Sequence, residues 1–156
     1  MFFKQFYDKH LSQASYLIGC QKTGEAMIID PICDLSSYIR VADEESLTIT
    51  HAAETHIHAN FVSGIRDVAI KLNASIYVSG ESDDTLGYKN MPNQTHFVQH
   101  NDDIYVGNIK LKVLHTPGHT PESISFLLTD EGAGAQVPMG LFSGDFIFAE
   151  IGRASC

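Results

Sequence analysis

Thr55-His56-Ile57-His58-Ala59-Asn60-Phe61 follows a strand that starts at Leu47-Thr48-Ile49-Thr50. On extended backbone, side chains at i and i+2 share a face, so His56 and His58 can point into one site. Two later segments have the same placement. Thr116-Pro117-Gly118-His119-Thr120 comes after a run of alternating apolar and polar residues, and Ser143-Gly144-Asp145 interrupts the apolar run from Leu141 to Phe148. Each sets a metal-ligating side chain where a strand meets a loop, and rigid sheets place functional groups on such loops. Pro117-Gly118 reads as a turn with Pro at its first central position and Gly supplying a positive φ at its second, aiming His119 back at a fixed place.

Outward from these segments the chain is rich in strands. Ser15 to Cys20 and Ala26 to Ile29 are short apolar runs, joined by the turn residues Lys22-Thr23-Gly24. Asp30-Pro31 ends the second run, because proline donates nothing to a ladder. A helix is predicted from Ser36 to Glu44. Val62, Ile65, Val68, Ala69 and Leu72 mark the apolar face of another, ending near Asn73. Ser75 to Val78 is a strand, and residues 79–95 form a long polar loop. Asp103 to Val106 and Ile109 to Val113 form a hairpin across Gly107-Asn108, the second strand being half exposed by its lysines. Further strands are predicted at Ser123 to Leu128 and Leu141 to Phe148. The mixture is α+β, in layers, and the length suits one domain over residues 1–156.

Composition narrows the partners. Ten Lys and Arg face nineteen Asp and Glu, giving a net charge of −9 with no basic cluster. Nucleic acid and anionic membrane are therefore excluded as expected partners, and no apolar run reaches the ~18 residues of a membrane span. Cys20, Cys33 and Cys156 make an odd count without a CxxC pair, which fits a reducing cytoplasm and no disulfide framework. Eight histidines nearly equal the ten cationic side chains. His10, His51, His96 and His100 sit in no motif and read as structural, and His115 is expected beneath the site.

Together the segments Glu54-Thr55-His56-Ile57-His58-Ala59, Val62-Ser63-Gly64, Leu114 to Ser123 through Pro117-Gly118-His119, Ser143-Gly144-Asp145 and Ile151-Gly152-Arg153 resemble the motifs of the metallo-β-lactamase superfamily. Within it they are most similar to the persulfide dioxygenase group, including forms fused to rhodanese domains. Asp30-Pro31 fits the early strand end of that superfamily. The resemblance implies an αββα four-layer sandwich.

One departure is informative. Superfamily hydrolases continue the motif as His-x-His-x-Asp-His, and the last two residues build a second metal site. Here those positions are Asn60 and Phe61, so the second site is lost. His56, His119 and Asp145 remain, two histidines and one carboxylate, a set suited to non-haem Fe(II) with open positions. The resemblance makes them the ligands of one Fe(II) per chain, with His58 behind them orienting a ligand or a water. A zinc site of His56, His58 and His119 is the competing chemistry. Arg153 is the candidate for holding a substrate carboxylate. The implied activity oxidises a low-molecular-weight persulfide, such as that of glutathione or coenzyme A, with O2 to sulfite and thiol. The alternatives are a zinc thioesterase of the hydroxyacylglutathione hydrolase kind and an inactive fragment.

Arg153 is followed only by Ala154-Ser155-Cys156, and Ser155 stands where the family carries an Asp. The superfamily fold continues well past this point. The sequence thus leads to the expectation of a C-terminally truncated sandwich that exposes the apolar faces of 142–148, is poorly soluble as a monomer, and associates into homo-oligomers. Rhodanese domains would follow in a longer parent chain.

Overall fold

A computed structural model describes residues 1–81, 87–148 and 153–154. The first sheet has the order β1 (Phe2–Asp8), β2 (Gln13–Cys20), β3 (Glu25–Ile29), β4 (Thr48–Ala53), β5 (Ser75–Ser79) and β6 (Thr95–Val98). β1, β2 and β3 pair antiparallel, while β3 to β6 run parallel. The parallel crossovers carry α1 (Ser36–Glu44) and α2 (Ile65–Leu72). The second sheet is antiparallel, with order β10 (Gly140–Phe142), β9 (Ile124–Asp130), β8 (Ile109–His115) and β7 (Asp103–Val106). β11 (Ile147–Phe148) and β12 (Arg153–Ala154) pair with each other.

Two apolar layers hold this together. One lies between the helices and the first sheet, where Tyr38, Val41, Ile65, Val68 and Ala69 meet Ile28, Ala52, Ile76 and Val78. The other fills the space between the sheets with Ile18, Met27 and Ile29 against Leu111, Val113, Ile124 and Phe126. Each fully buried aliphatic side chain of this kind contributes about 1.5–3 kcal/mol. The two faces of β3 alternate between the layers, as its period of two requires. Among the described residues both helices cover the first sheet, so helix, sheet and sheet are present as layers of the expected sandwich.

Four expectations need correction. The second helix begins at Ile65, and Val62 is 74% exposed. Gly64 packs so close to the Ile32 carbonyl that the chain there is pinned before the helix starts. The run Leu141 to Phe148 is not one strand: it breaks into β10, a 3-10 turn over Gly144–Phe146, and β11, because Gly144 takes φ +51°. No strand is predicted after the polar loop, yet Thr95–Val98 joins the sheet beside β5. Gly118 is not among the positive-φ glycines of the described residues, so the turn before His119 is not of the left-handed kind. The strands read at 15–20, 26–29, 47–50, 75–78, 103–106, 109–113 and 123–128, and α1, fall close to where the pattern places them, whereas β1 is a strand the pattern does not delimit.

Candidate metal centre

The parallel strands β3 and β4 end side by side, and the site grows from that end. Asp30 follows β3 with φ +53°, a conformation Asp tolerates better than most residues. Its amide donates to the Ala53 carbonyl at 2.9 Å, extending the ladder. Its buried carboxylate is a hub: Oδ1 accepts from the Thr55 amide at 2.7 Å, and Oδ2 accepts from Thr55 Oγ1 at 2.9 Å. His58 Nε2 lies 3.2 Å from Oδ1.

A chain of protons follows from this. The single Thr55 hydroxyl proton goes to Asp30, so Thr55 Oγ1, 3.0 Å from His56 Nδ1, accepts from that ring. His56 therefore carries its proton on Nδ1 and presents a bare Nε2 to the site, as a metal-ligating histidine must. His56 is 2% exposed. Burial lowers its pKa below the ordinary histidine value, and the neighbouring His58 adds to the effect, so neutral imidazole prevails near neutral pH.

His119 and Asp145 complete the group. His56 Nε2 lies 3.8 Å and His119 Nε2 3.5 Å from Asp145 Oδ2. The three residues offer one ligand atom each, all within 4.8 Å of one another. His119 stands on a loop closed by the Thr116 amide to the Ser123 carbonyl at 2.9 Å, and by Thr120 Oγ1 to Ser123 Oγ at 2.7 Å. His115, expected beneath the site, instead meets the Pro121 carbonyl with Nε2 at 2.9 Å and closes the same loop. Asp145 sits in the 3-10 turn. A Cβ at Gly144 would overlap Thr55 Oγ1 and lie 2.8 Å from Thr55 Cβ, so only glycine lets the Asp145 turn approach the Thr55–His56 pair.

The loops are latched across the two sheets. Glu122, itself buried, accepts the Ile57 amide at 2.9 Å, and the Ile124 amide donates to the Thr55 carbonyl at 2.8 Å. Behind the site lies a second polar group. Burial pushes the Glu54 carboxyl up to about 7, against the opposing pull of the Ser63 hydroxyl and the His58 ring. Glu54 Oε1, His58 Nδ1 and Tyr88 Oη are buried without a hydrogen-bond partner among the described residues. Burial alone would depress His58, but its hydrogen bond to Asp30 and the Asp30 charge raise it above the ordinary value.

His56, His119 and Asp145 thus converge, as the sequence suggests. His58 lies outside that group, with Nε2 turned to Asp30, its ring 4.2 Å from that of His56 and 4.4 Å from that of Phe61. Phe61 therefore packs against His58, its ring tilted by 39°, where the hydrolase pattern has a ligand, and Asn60 is exposed. Arg153 is in β12, and its side chain lies outside the described part. His51 and His96 stack on either side of Tyr77, at 5.9 and 4.9 Å, away from the metal group. Sequence reading missed the roles of Asp30, Thr55, Gly144 and Glu122. Each stood inside a quoted motif, but the partner of each is distant or on another loop.

The donor set fits a metal: two neutral-capable imidazoles and a carboxylate, one imidazole already oriented from behind. It suits Fe(II) and Zn(II) alike.

Comparison with known proteins agrees. The family model described as Metallo-beta-lactamase superfamily matches residues 9–156. A metallo-beta-lactamase from Staphylococcus aureus is 96% identical with a TM-score of 0.94, over 95% of this chain and 44% of that one. ETHE1 from Myxococcus xanthus is 31% identical with a TM-score of 0.77, over 96% of this chain and 59% of that one. The hydroxyacylglutathione hydrolase of Prochlorococcus marinus is 27% identical over 83% of this chain and 49% of its own length. That of Nitrosococcus oceani is 29% identical over 91% and 49%. The chain spans about half the length of these curated relatives. Among the described residues no helix is long and apolar enough to cross a membrane. With sheets, helices, loop order and metal group all in agreement, the chain belongs to the metallo-beta-lactamase superfamily.

Proposed function

We propose that this chain carries the metal centre of a non-haem iron persulfide dioxygenase, acting on a low-molecular-weight thiol persulfide. One observation carries the reading: His56, His119 and Asp145 converge, while positions 60 and 61 hold Asn and Phe and supply no second set. A two-histidine, one-carboxylate group leaves positions open for substrate and O2. The likeness to ETHE1 supports it. Bound iron would supply the redox chemistry by which O2 adds two oxygens to the terminal sulfur, after which water supplies the third, cleaves the sulfur–sulfur bond and releases sulfite and the thiol.

The chain's own residues hold and shield that centre. Asp30 and Thr55 fix the His56 tautomer, Glu122 latches the His56 loop to the His119 loop, and Phe61 covers the His58 ring. Arg153 is proposed to pair with a substrate carboxylate, giving an acidic chain a cationic group for an anionic thiol. Free Cys20 and Cys33 suit a reducing cytoplasm.

The test is anaerobic Fe(II) loading of the 156-residue chain, followed by oxygen uptake with glutathione persulfide. Uptake with stoichiometric sulfite is expected. Full zinc occupancy with no uptake would overturn the reading.

A second reading is a zinc thioesterase, favoured by the hydroxyacylglutathione hydrolase relatives. It uses metal-activated water and predicts thioester hydrolysis by the zinc-loaded chain, enhanced by Asn60→Asp with Phe61→His. The dioxygenase reading predicts none from the zinc-loaded chain before that change.

A further inference from the structure

Behind the metal group lies a buried polar cluster that the proposed reaction does not use. Three of its atoms, Glu54 Oε1, His58 Nδ1 and Tyr88 Oη, are buried without a hydrogen-bond partner among the described residues. Glu54 is 2% exposed and the His58 side chain 1%. The Ser63 hydroxyl and the Tyr88 phenol face the Glu54 carboxyl, and the His58 ring adjoins it, yet the phenol closes no hydrogen bond there. Buried polar atoms are bonded in roughly nine cases of ten. Three orphans around one carboxyl call for a common partner.

Each member is fixed by contacts of its own. The Glu54 amide donates to the Tyr77 carbonyl at 3.1 Å, which holds the residue at the end of β4. His58 is tied to Asp30 through Nε2, and its ring lies between those of His56 and Phe61. Tyr88 comes from the far end of the long polar loop. Arg66 on α2 clamps the two residues after it, donating to the Lys89 carbonyl at 2.6 Å and to the Asn90 carbonyl at 3.0 Å. Tyr88 and Met91 then pack on the apolar layer between the helices and the first sheet.

We propose that one water molecule bridges Glu54, His58 and Tyr88, and that Tyr88 is thereby a positioning residue for the metal centre. A buried water takes two to four polar partners. It donates or accepts, so it suits a carboxyl, a ring nitrogen and a phenol together. An anion does not suit the place, because the phenol already lies in the field of Glu54, Asp30 and Glu122. From the water the chain of contacts runs through His58 to Asp30 at 3.2 Å, from Asp30 to Thr55 Oγ1 at 2.9 Å, and from Thr55 to His56 Nδ1 at 3.0 Å. The positioning role rests on the reading of His56, His119 and Asp145 as ligands. The water site itself does not.

Tyr88→Phe is the test, since it removes the oxygen and keeps the ring. Crystals of the parent at high resolution should show a water within about 3.2 Å of all three atoms. In 15N-labelled, metal-free protein the His58 ring signals should move in Tyr88→Phe, because Nδ1 loses a fully bonded partner. Zn(II) affinity, read by competition with a chelator, should fall by about ten-fold, the lower end of what orienting partners supply. Tyr105→Phe, which removes a phenol from a residue 49% exposed on β7, should change neither readout. The proposal is overturned by direct bonds among Glu54, His58 and Tyr88 with no water between them, by a metal ion in the water's place, or by His58 signals and Zn(II) affinity that match the parent in Tyr88→Phe. A parent chain that binds no Zn(II) would instead sink the reading of the metal centre, and the positioning role with it. The crystals and the metal-free His58 spectrum would then still decide the water site.

Discussion

Replacing Gly144 with alanine tests the packing of the metal centre. Gly144 takes φ +51°, where an L side chain costs about 1–2 kcal/mol. The new methyl would also meet Thr55, overlapping its Oγ1 and lying 2.8 Å from its Cβ. Thr55 cannot yield easily, because its amide and hydroxyl are both bonded to the Asp30 carboxylate. Overpacking of this kind costs about 1–3 kcal/mol. Gly144→Ala should therefore lose about 3 kcal/mol in urea denaturation of metal-free protein, with an unchanged slope. The displaced Thr55 would no longer hold His56 Nδ1, so metal affinity, read by competition with a chelator, should fall by about 10–100-fold. Gly140→Ala is the control: its methyl would meet only Leu128, no closer than 3.7 Å. If the two variants were equally stable and bound metal equally well, the account of Gly144 would be wrong.

Thr55→Val keeps the shape and deletes the hydroxyl, leaving Asp30 Oδ2 and His56 Nδ1 without that partner; it should cost about 1–3 kcal/mol and weaken metal binding, both measured by calorimetry. Glu54 gives a pH test. Its folded carboxyl keeps its proton up to about 7, against 4.5 for the ordinary group, so the folded state binds the extra proton between those values. That contribution is in place below the unfolded pKa and is lost as pH rises through the folded one. Glu54→Gln removes this dependence, and should match the parent near the lower value while gaining about 3 kcal/mol on it above the upper one; a gain independent of pH in chelator-treated protein would contradict the assignment. Glu122→Ala unlatches the Ile57 amide and should lower metal affinity more than it lowers the melting temperature, whereas equal loss in both would mean that Glu122 serves the fold at large.

Much of the fold was legible because its strands are amphipathic or wholly apolar. Ile109 to Val113 alternates, and its lysines do point outward while Ile109, Leu111 and Val113 are buried. Ser36 to Glu44 carries a clean helical face in Tyr38, Val41 and Ala42. The misses share a cause: tertiary partners overrode local pattern. β1 was not delimited in the sequence because it is an edge strand with Lys4 and Gln5 exposed. β6 has only four residues, two of them exposed, and exists by pairing with β5. Val62 fits the helical spacing, but Gly64 is fixed against Ile32 before the helix begins. At the site, residue type and spacing pointed to His56, His119 and Asp145, which the fold brings together. The roles of Asp30 and Glu122 rest on partners 25 and 65 residues away, which no local pattern encodes.

The latch between Glu122 and the Ile57 amide has a consequence for assembly. His56 hangs from the first sheet, whereas His119 and Asp145 come from loops of the second. Neither sheet alone owns three ligands, so a half-assembled chain offers a metal one or two. On the proposed metal reading, ion capture would be a readout of sheet docking: an ion would bind tightly only to a finished seam, and by mass action would then hold that seam shut. On that reading, a chain that misdocks its sheets would be left metal-free, separating failed molecules from working ones before any substrate arrives.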